Sequence, residues 1–158
     1  MNLLFFLTPK AEVAYLYDDF TVRQALEKME YHRYSSIPIL NRKGEYVGTI
    51  TEGDLLWTIK RTYNLNLQDA EDMPLMSVPR KHDYHCVSVD TDMEKLIAAA
   101  MKQNFVPVID GKESFIGIVK RNSIIQFCYD RYKQASSCVE YGAERRIRPQ
   151  TSQKSVDN

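Results

Sequence analysis

Thr51 and Asp54 stand three residues apart in Gly48-Thr49-Ile50-Thr51-Glu52-Gly53-Asp54, directly ahead of the apolar Leu55-Leu56-Trp57. A hydroxyl and a carboxylate at that spacing have two uses. As an S/T-x-x-D/E box they satisfy orphan N–H groups of the helix they precede. Alternatively they hold a ligand where a strand passes into a helix N-terminus, a place that favours anions. Other chemistry is sparse. His82-x-x-His85-Cys86 offers three ligands, but a structural zinc site needs four, so no metal is expected. No Ser, Cys or Thr nucleophile stands with an identifiable base, and no G-x-x-x-x-G-K-S/T loop occurs. The chain is therefore expected not to be an enzyme.

The elements that position Thr51 and Asp54 recur. Ile37-Pro38-Ile39-Leu40, a polar turn with Gly44, and Tyr46-Val47-Gly48-Thr49-Ile50 come first. Sixty-nine positions on (37 to 106), Val106-Pro107-Val108-Ile109, a turn with Gly111, and Phe115-Ile116-Gly117-Ile118-Val119 repeat the pattern. Each copy reads as a β-hairpin of β-branched runs about a glycine turn. A helix precedes each: Val22, Ala25, Leu26 and Met29 behind Thr21, then Met93, Leu96, Ile97, Ala100 and Met101 behind Asp92, with Thr21 and Asp92 as N-caps. A second helix follows each hairpin, from Leu55 and from Ile124. One such unit is too small to hide its own apolar face, so two should pack together. The expected fold is α/β (α+β): two pseudo-symmetric β-α-β-β-α units packed sheet to sheet. The first spans residues 7–62 and the second residues 73–133, with 63–72 as linker and 134–158 as a polar, disordered tail.

The totals agree with a globular chain. Of 158 residues, 44% are hydrophobic and 27% charged, enough for a core. Lys plus Arg equals Asp plus Glu at 21 each, so no global field draws nucleic acid or a membrane surface. Leu3-Leu4-Phe5-Phe6-Leu7 is too short for a signal segment, and no apolar run approaches a membrane span. Three cysteines without C-x-x-C spacing suit reduced thiols and a cytoplasmic location.

The duplicated unit, with Ser36-Ile37-Pro38-Ile39 and Gly48-x-x-Thr51-x-x-Asp54, resembles a tandem pair of cystathionine-β-synthase (CBS) domains, the Bateman module. The resemblance covers residues 7–132. It extends to stand-alone bacterial two-CBS proteins, and the second half, Met101 to Val108 and Phe115 to Val119, is similar to members that bind cyclic di-AMP. It implies an adenine nucleotide (AMP, ADP, ATP or cyclic di-AMP) as regulatory ligand between the units, no required cofactor, and a homodimer. On that reading Gly48 lets the ligand approach the backbone. Thr51 offers a hydroxyl to a phosphate, and Asp54 accepts from the ribose diol. Ala14, Tyr15, Tyr34, Ser36 and Pro38 flank the base, although Tyr15 and Tyr34 serve plain packing equally well.

The second copy replaces Thr51 and Asp54 by Lys120 and Ser123 in Gly117-Ile118-Val119-Lys120-Arg121-Asn122-Ser123. Lys120 and Arg121 lie at a helix N-terminus that disfavours cations, so they reach for phosphates or remain a surface pair. Because that turn survives there without Thr or Asp, the pair in copy one reads as serving a ligand more than the fold. A nucleotide-sensing module that regulates a protein partner is expected. The alternative is a structural or dimerisation module with a vestigial site that docks a partner.

Overall fold

The computed structural model describes residues 2–64 and 66–144. The chain divides into two compact units, residues 1–124 and 125–158. The first holds both sheets and every helix up to the opening turn of the last.

Order along the chain is β1 (Leu7–Pro9), β2 (Leu16–Tyr17), α1 (Val22–His32), β3 (Ser36–Leu40), β4 (Tyr46–Thr51), α2 (Glu52–Tyr63), α3 (Leu67–Ala70), β5 (Val87–Ser88), α4 (Met93–Ala100), β6 (Phe105–Ile109), β7 (Phe115–Lys120) and α5 (Arg121–Glu144). Both expected N-caps form. Thr21 and Gln24 exchange a complete capping box, and the Asp92 carboxylate accepts from the Lys95 N–H at 2.9 Å. Val22, Ala25 and Met29 on α1 and Leu96 and Ala100 on α4 are buried as their periodicity marks, whereas Met101 lies past the end of α4 and is exposed.

The hairpins match in register. Ile39 pairs with Gly48 and Val108 with Gly117, and each ladder shifts one residue later. Pro38 and Pro107 sit third in strands whose outer neighbours β2 and β5 reach only the last two residues, so a missing N–H breaks no ladder there. Turn chemistry also repeats. Asn41 Oδ1 accepts from the N–H groups of Lys43 and Glu45, and Asp110 Oδ1 from those of Lys112 and Ser114. The left-handed residue is Gly44 in the first turn but Glu113, not Gly111, in the second.

Two findings differ from the expectation. The first sheet has three strands in the order β2-β3-β4, but the second has four, β1-β7-β6-β5. Residues 7–9 thus leave the first unit and pair with the second, Leu7 opposite Val119 and Pro9 opposite Gly117. An edge strand exposes unpaired N–H and C=O groups, and β1 covers that of β7. In addition, α5 continues past Lys133 to Glu144, over residues placed in a disordered tail. Gln, Ala, Cys and Glu there permit helix without marking an apolar stripe. Residues 145–158, the rest of that tail, lie outside the described residues.

Each sheet has its own core, around Leu16, Ile37, Ile39, Ile50 and Leu55, and around Leu96, Val106, Val108, Val119 and Ile124. A third cluster joins the repeats: Val13, Leu40, Tyr84, Phe105, Phe115 and Ile118, with Tyr15 and Tyr46 against it. Within it the Tyr46 hydroxyl lies 2.8 Å from Thr49 Oγ1 and donates to the Tyr84 carbonyl at 3.0 Å. Burial pushes the Tyr46 phenol far above its ordinary value of 10, with Thr49 opposing in small part. The neutral phenol is the native form, so its contribution is complete below about pH 10 and is lost as pH rises and the unfolded phenol ionises. Denaturant unfolding from pH 8 to 11.5 should show stability falling by about 1.4 kcal/mol per unit above pH 10 from this group. Tyr46→Phe should remove that part of the slope, and identical slopes in both proteins would contradict it.

Candidate functional site

The strand-to-helix turn after each hairpin has the same backbone frame. The Glu52 N–H donates to the Ser35 carbonyl at 3.0 Å, and sixty-nine positions on (52 to 121) the Arg121 N–H donates to the Asn104 carbonyl at 3.1 Å. What the two turns present is different, and each borders its own cavity.

The first cavity, 430 Å³, gathers Tyr34, Ser36 and Pro38 from the start of β3 with Lys120 and Arg121 from the β7–α5 turn. Five of the expected site residues therefore meet. Arg33, Asn104, Phe105, Ile118 and Val13 complete much of the wall. Asn104 Nδ2 reaches Ser36 Oγ at 3.5 Å, bridging the repeats. Arg121 Nε donates to the Gln103 carbonyl at 2.9 Å, so this guanidinium is anchored. Among the described residues, three cations and no carboxylate line the cavity. An apolar floor of Pro38, Phe105 and Ile118 under a cationic rim suits a flat ring that carries phosphate.

The second cavity, 360 Å³, holds Asp54 with Trp57, Thr58, Arg61, Arg80 and Lys81. The fold employs Thr51 and Asp54 in the first of their two expected uses. Asp54 Oδ2 accepts from the Thr51 N–H at 3.0 Å and Thr51 Oγ1 accepts from the Asp54 N–H at 3.1 Å, a complete capping box. Asp54 Oδ1 accepts from the Lys81 N–H at 3.1 Å, and the residue is 7% exposed. It ties the connection between the repeats to α2. Each oxygen keeps a second lone pair, so a ligand donor can still be accepted.

Gly48 is buried in β4, and the group that approaches it is the Arg80 guanidinium. A Cβ there would lie 3.1 Å from Arg80 Cζ. Asp83 Oδ1 holds Arg80 Nε at 2.9 Å. Ala14 and Tyr15 face neither cavity. Ala14 packs in the first core, and the Tyr15 ring stands edge-on to Tyr17 at 5.6 Å with the Lys10 and Lys28 ammonium groups each 5.5 Å from its centre. Packing is the use of Tyr15 that these contacts show. Sequence reasoning missed Arg33, Gln103, Asn104, Arg80 and Lys81. The repeat offset of Ser35 to Asn104 was one available signal, whereas Arg80 and Lys81 lie in the connection ahead of β5, where no motif marks them. Among the described residues no group of His, Cys, Asp or Glu is placed to hold a metal. No helix among them is long and apolar enough to cross a membrane.

Two β-α-β-β-α units related by internal repetition, with one cavity where β3 of the first meets the β7–α5 turn of the second, define a paired α/β module. The chain belongs to the CBS-domain family, whose model matches residues 7–61 and 75–130. It is similar to a CBS-domain protein from Streptococcus pneumoniae, 25% identical, TM-score 0.72, over 82% of this chain and 87% of that one. It is also similar to CbpB from Listeria monocytogenes, solved in complex with c-di-AMP, at 22% identity and TM-score 0.73, over 84% and 98%. A third likeness is to CBSX2, solved in complex with AMP, at 18% identity and TM-score 0.66, over 83% and 98%. No protein of curated function matches the chain.

Proposed function

We propose that this CBS pair is a regulatory module that binds an adenine nucleotide in the cavity beside Arg121 and does no chemistry on it. One observation carries the reading: Arg33, Lys120 and Arg121 line one apolar-floored cavity that no carboxylate of the described residues lines. The ligands held by two relatives, c-di-AMP by CbpB and AMP by CBSX2, support the class. Absence of a carboxylate favours a phosphodiester such as cyclic di-AMP over mononucleotides, because nothing acidic there receives a free ribose diol. A cytoplasmic homodimer that hands the signal to a protein partner completes the proposal.

A second reading has its own observation. Leu56 is about half exposed on α2 and lines a groove with Leu55, Ile59 and the α1 residues Leu26 and Met29. That apolar face suits docking or dimerisation without any ligand.

A thermal-shift panel of cyclic di-AMP, ATP, AMP and adenosine separates the two. A true ligand at ~100 times its Kd should add about 2.7 kcal/mol to stability. Arg121→Ala or Lys120→Ala should weaken cyclic di-AMP and ATP by about tenfold each, the loss of one charge-assisted hydrogen bond, and leave adenosine unchanged. No shift with any adenylate would refute the sensor reading and leave the docking one.

A further inference from the structure

We infer that Gln103, which stands behind the cavity wall, is the positioning residue that holds the Arg121 guanidinium at the nucleotide site; this rests on the binding reading above. Gln103 is 4% exposed, and a buried amide needs partners. It has them on every side. Nε2 donates to the His85 carbonyl at 2.9 Å and to the Phe105 carbonyl at 3.0 Å, and Oε1 accepts from the His85 N–H at 3.1 Å. Two carbonyls on one end and an N–H on the other fix which way the amide points.

That amide pins the middle of a segment whose other bonds lie on either side of Gln103: the Met101 and Lys102 N–H groups donate back to carbonyls of α4, and Asn104 bonds the Tyr84 hydroxyl and Ser36 Oγ. Residues 101–104 form turn and bend between α4 and β6, with no ladder of their own. The Gln103 main-chain carbonyl in that segment accepts from Arg121 Nε at 2.9 Å, and the next carbonyl, Asn104, accepts from the Arg121 N–H. Arg121 is thus gripped at two points by consecutive carbonyls. Being held by Nε leaves its terminal nitrogens, four N–H donors, for the cavity that it lines. A guanidinium restrained before a ligand arrives loses less rotamer freedom on binding. The first repeat has no such device. Tyr34 stands at the place of Gln103 and Glu52 at that of Arg121, so an amide pin and a cation to be pinned occur together in the second repeat only.

The test uses the full chain in two arms. In the ligand-free protein, the Arg121 Nε–H resonance should be resolved and slow to exchange, and Gln103→Met should abolish that protection. By calorimetry, Gln103→Met should weaken cyclic di-AMP by about tenfold, change adenosine less than about twofold, and add nothing in an Arg121→Ala background. If Gln103→Met does not fold, Gln103→Asn, which keeps the amide but shortens it by one methylene, is read in the same way. An Arg121 resonance unchanged by either variant overturns the inference, as does an equal loss of affinity with and without Arg121. If the wild type binds no adenylate yet the resonance loses protection in the variant, the nucleotide reading falls and the positioning role stands.

Discussion

Alanine at Gly117 is expected to lower stability by about 3 kcal/mol or more, with alanine at the equivalent Gly48 costing less than about 1 kcal/mol. The repeat makes these glycines look interchangeable, each in the middle of the strand after its hairpin. Their surroundings are not alike. A Cβ on Gly117 would lie 2.2 Å from the Thr8 carbonyl oxygen and 3.1 Å from Pro9 Cα, and its φ of 156° is one that side chains rarely adopt. The clash is with backbone, in a strand paired residue for residue with β7, so relief requires β1 to leave the sheet. At Gly48 the obstacle is the tip of Arg80, which can turn aside by breaking one ion pair. Urea unfolding of the two variants checks the contrast. Equal losses would mean that β1 does not pack against β7 as described. Retention of binding by Gly48→Ala would further separate the second cavity from ligand contact at that backbone.

Asp54→Ala is expected to cost about 3 kcal/mol in the absence of any ligand: ~1 kcal/mol for the lost cap, the rest for a charge-assisted hydrogen bond left without its acceptor. Thr51→Ala should cost only about 1 kcal/mol, since Thr51 caps the helix but does not reach the connection between the repeats. The difference rests on Lys81, whose N–H meets Asp54 Oδ1 inside the protein. For a chain of this size the Asp54 variant should melt roughly 6 to 12 °C lower. Calorimetry of the ligand-free variants decides. An Asp54→Ala protein as stable as wild type would return the carboxylate to ligand duty alone, as the turn comparison with Lys120 and Ser123 suggests.

Most local features were legible because their causes act over a few residues. Thr21 and Asp92 cap helices through partners three residues on, and Thr51 and Asp54 do the same. The repeat then multiplied these signals, and with them the pairing of two β-α-β-β-α units followed. The cationic pair Lys120-Arg121 was legible as a misfit at a helix start, and it does line a cavity with Tyr34, Ser36 and Pro38.

Long-range partners were not legible. The sequence makes Gly48 and Gly117 equivalents, and only the folded chain shows one against an arginine side chain and the other against a strand from the far end. It presents the candidate residues as one site, yet five line one cavity, Asp54 lines another, and Ala14, Tyr15, Gly48 and Thr51 line neither. Strand β1 reads as part of the first unit but pairs with the second, and Gln103 reads as an ordinary residue of a polar turn. Helix caps, turns and amphipathic faces are decided by neighbours in sequence, so the chain itself determined its elements and their duplication. Which carbonyl meets which glycine, and which amide holds which guanidinium, depends on segments tens of residues apart, and only their packing could settle it.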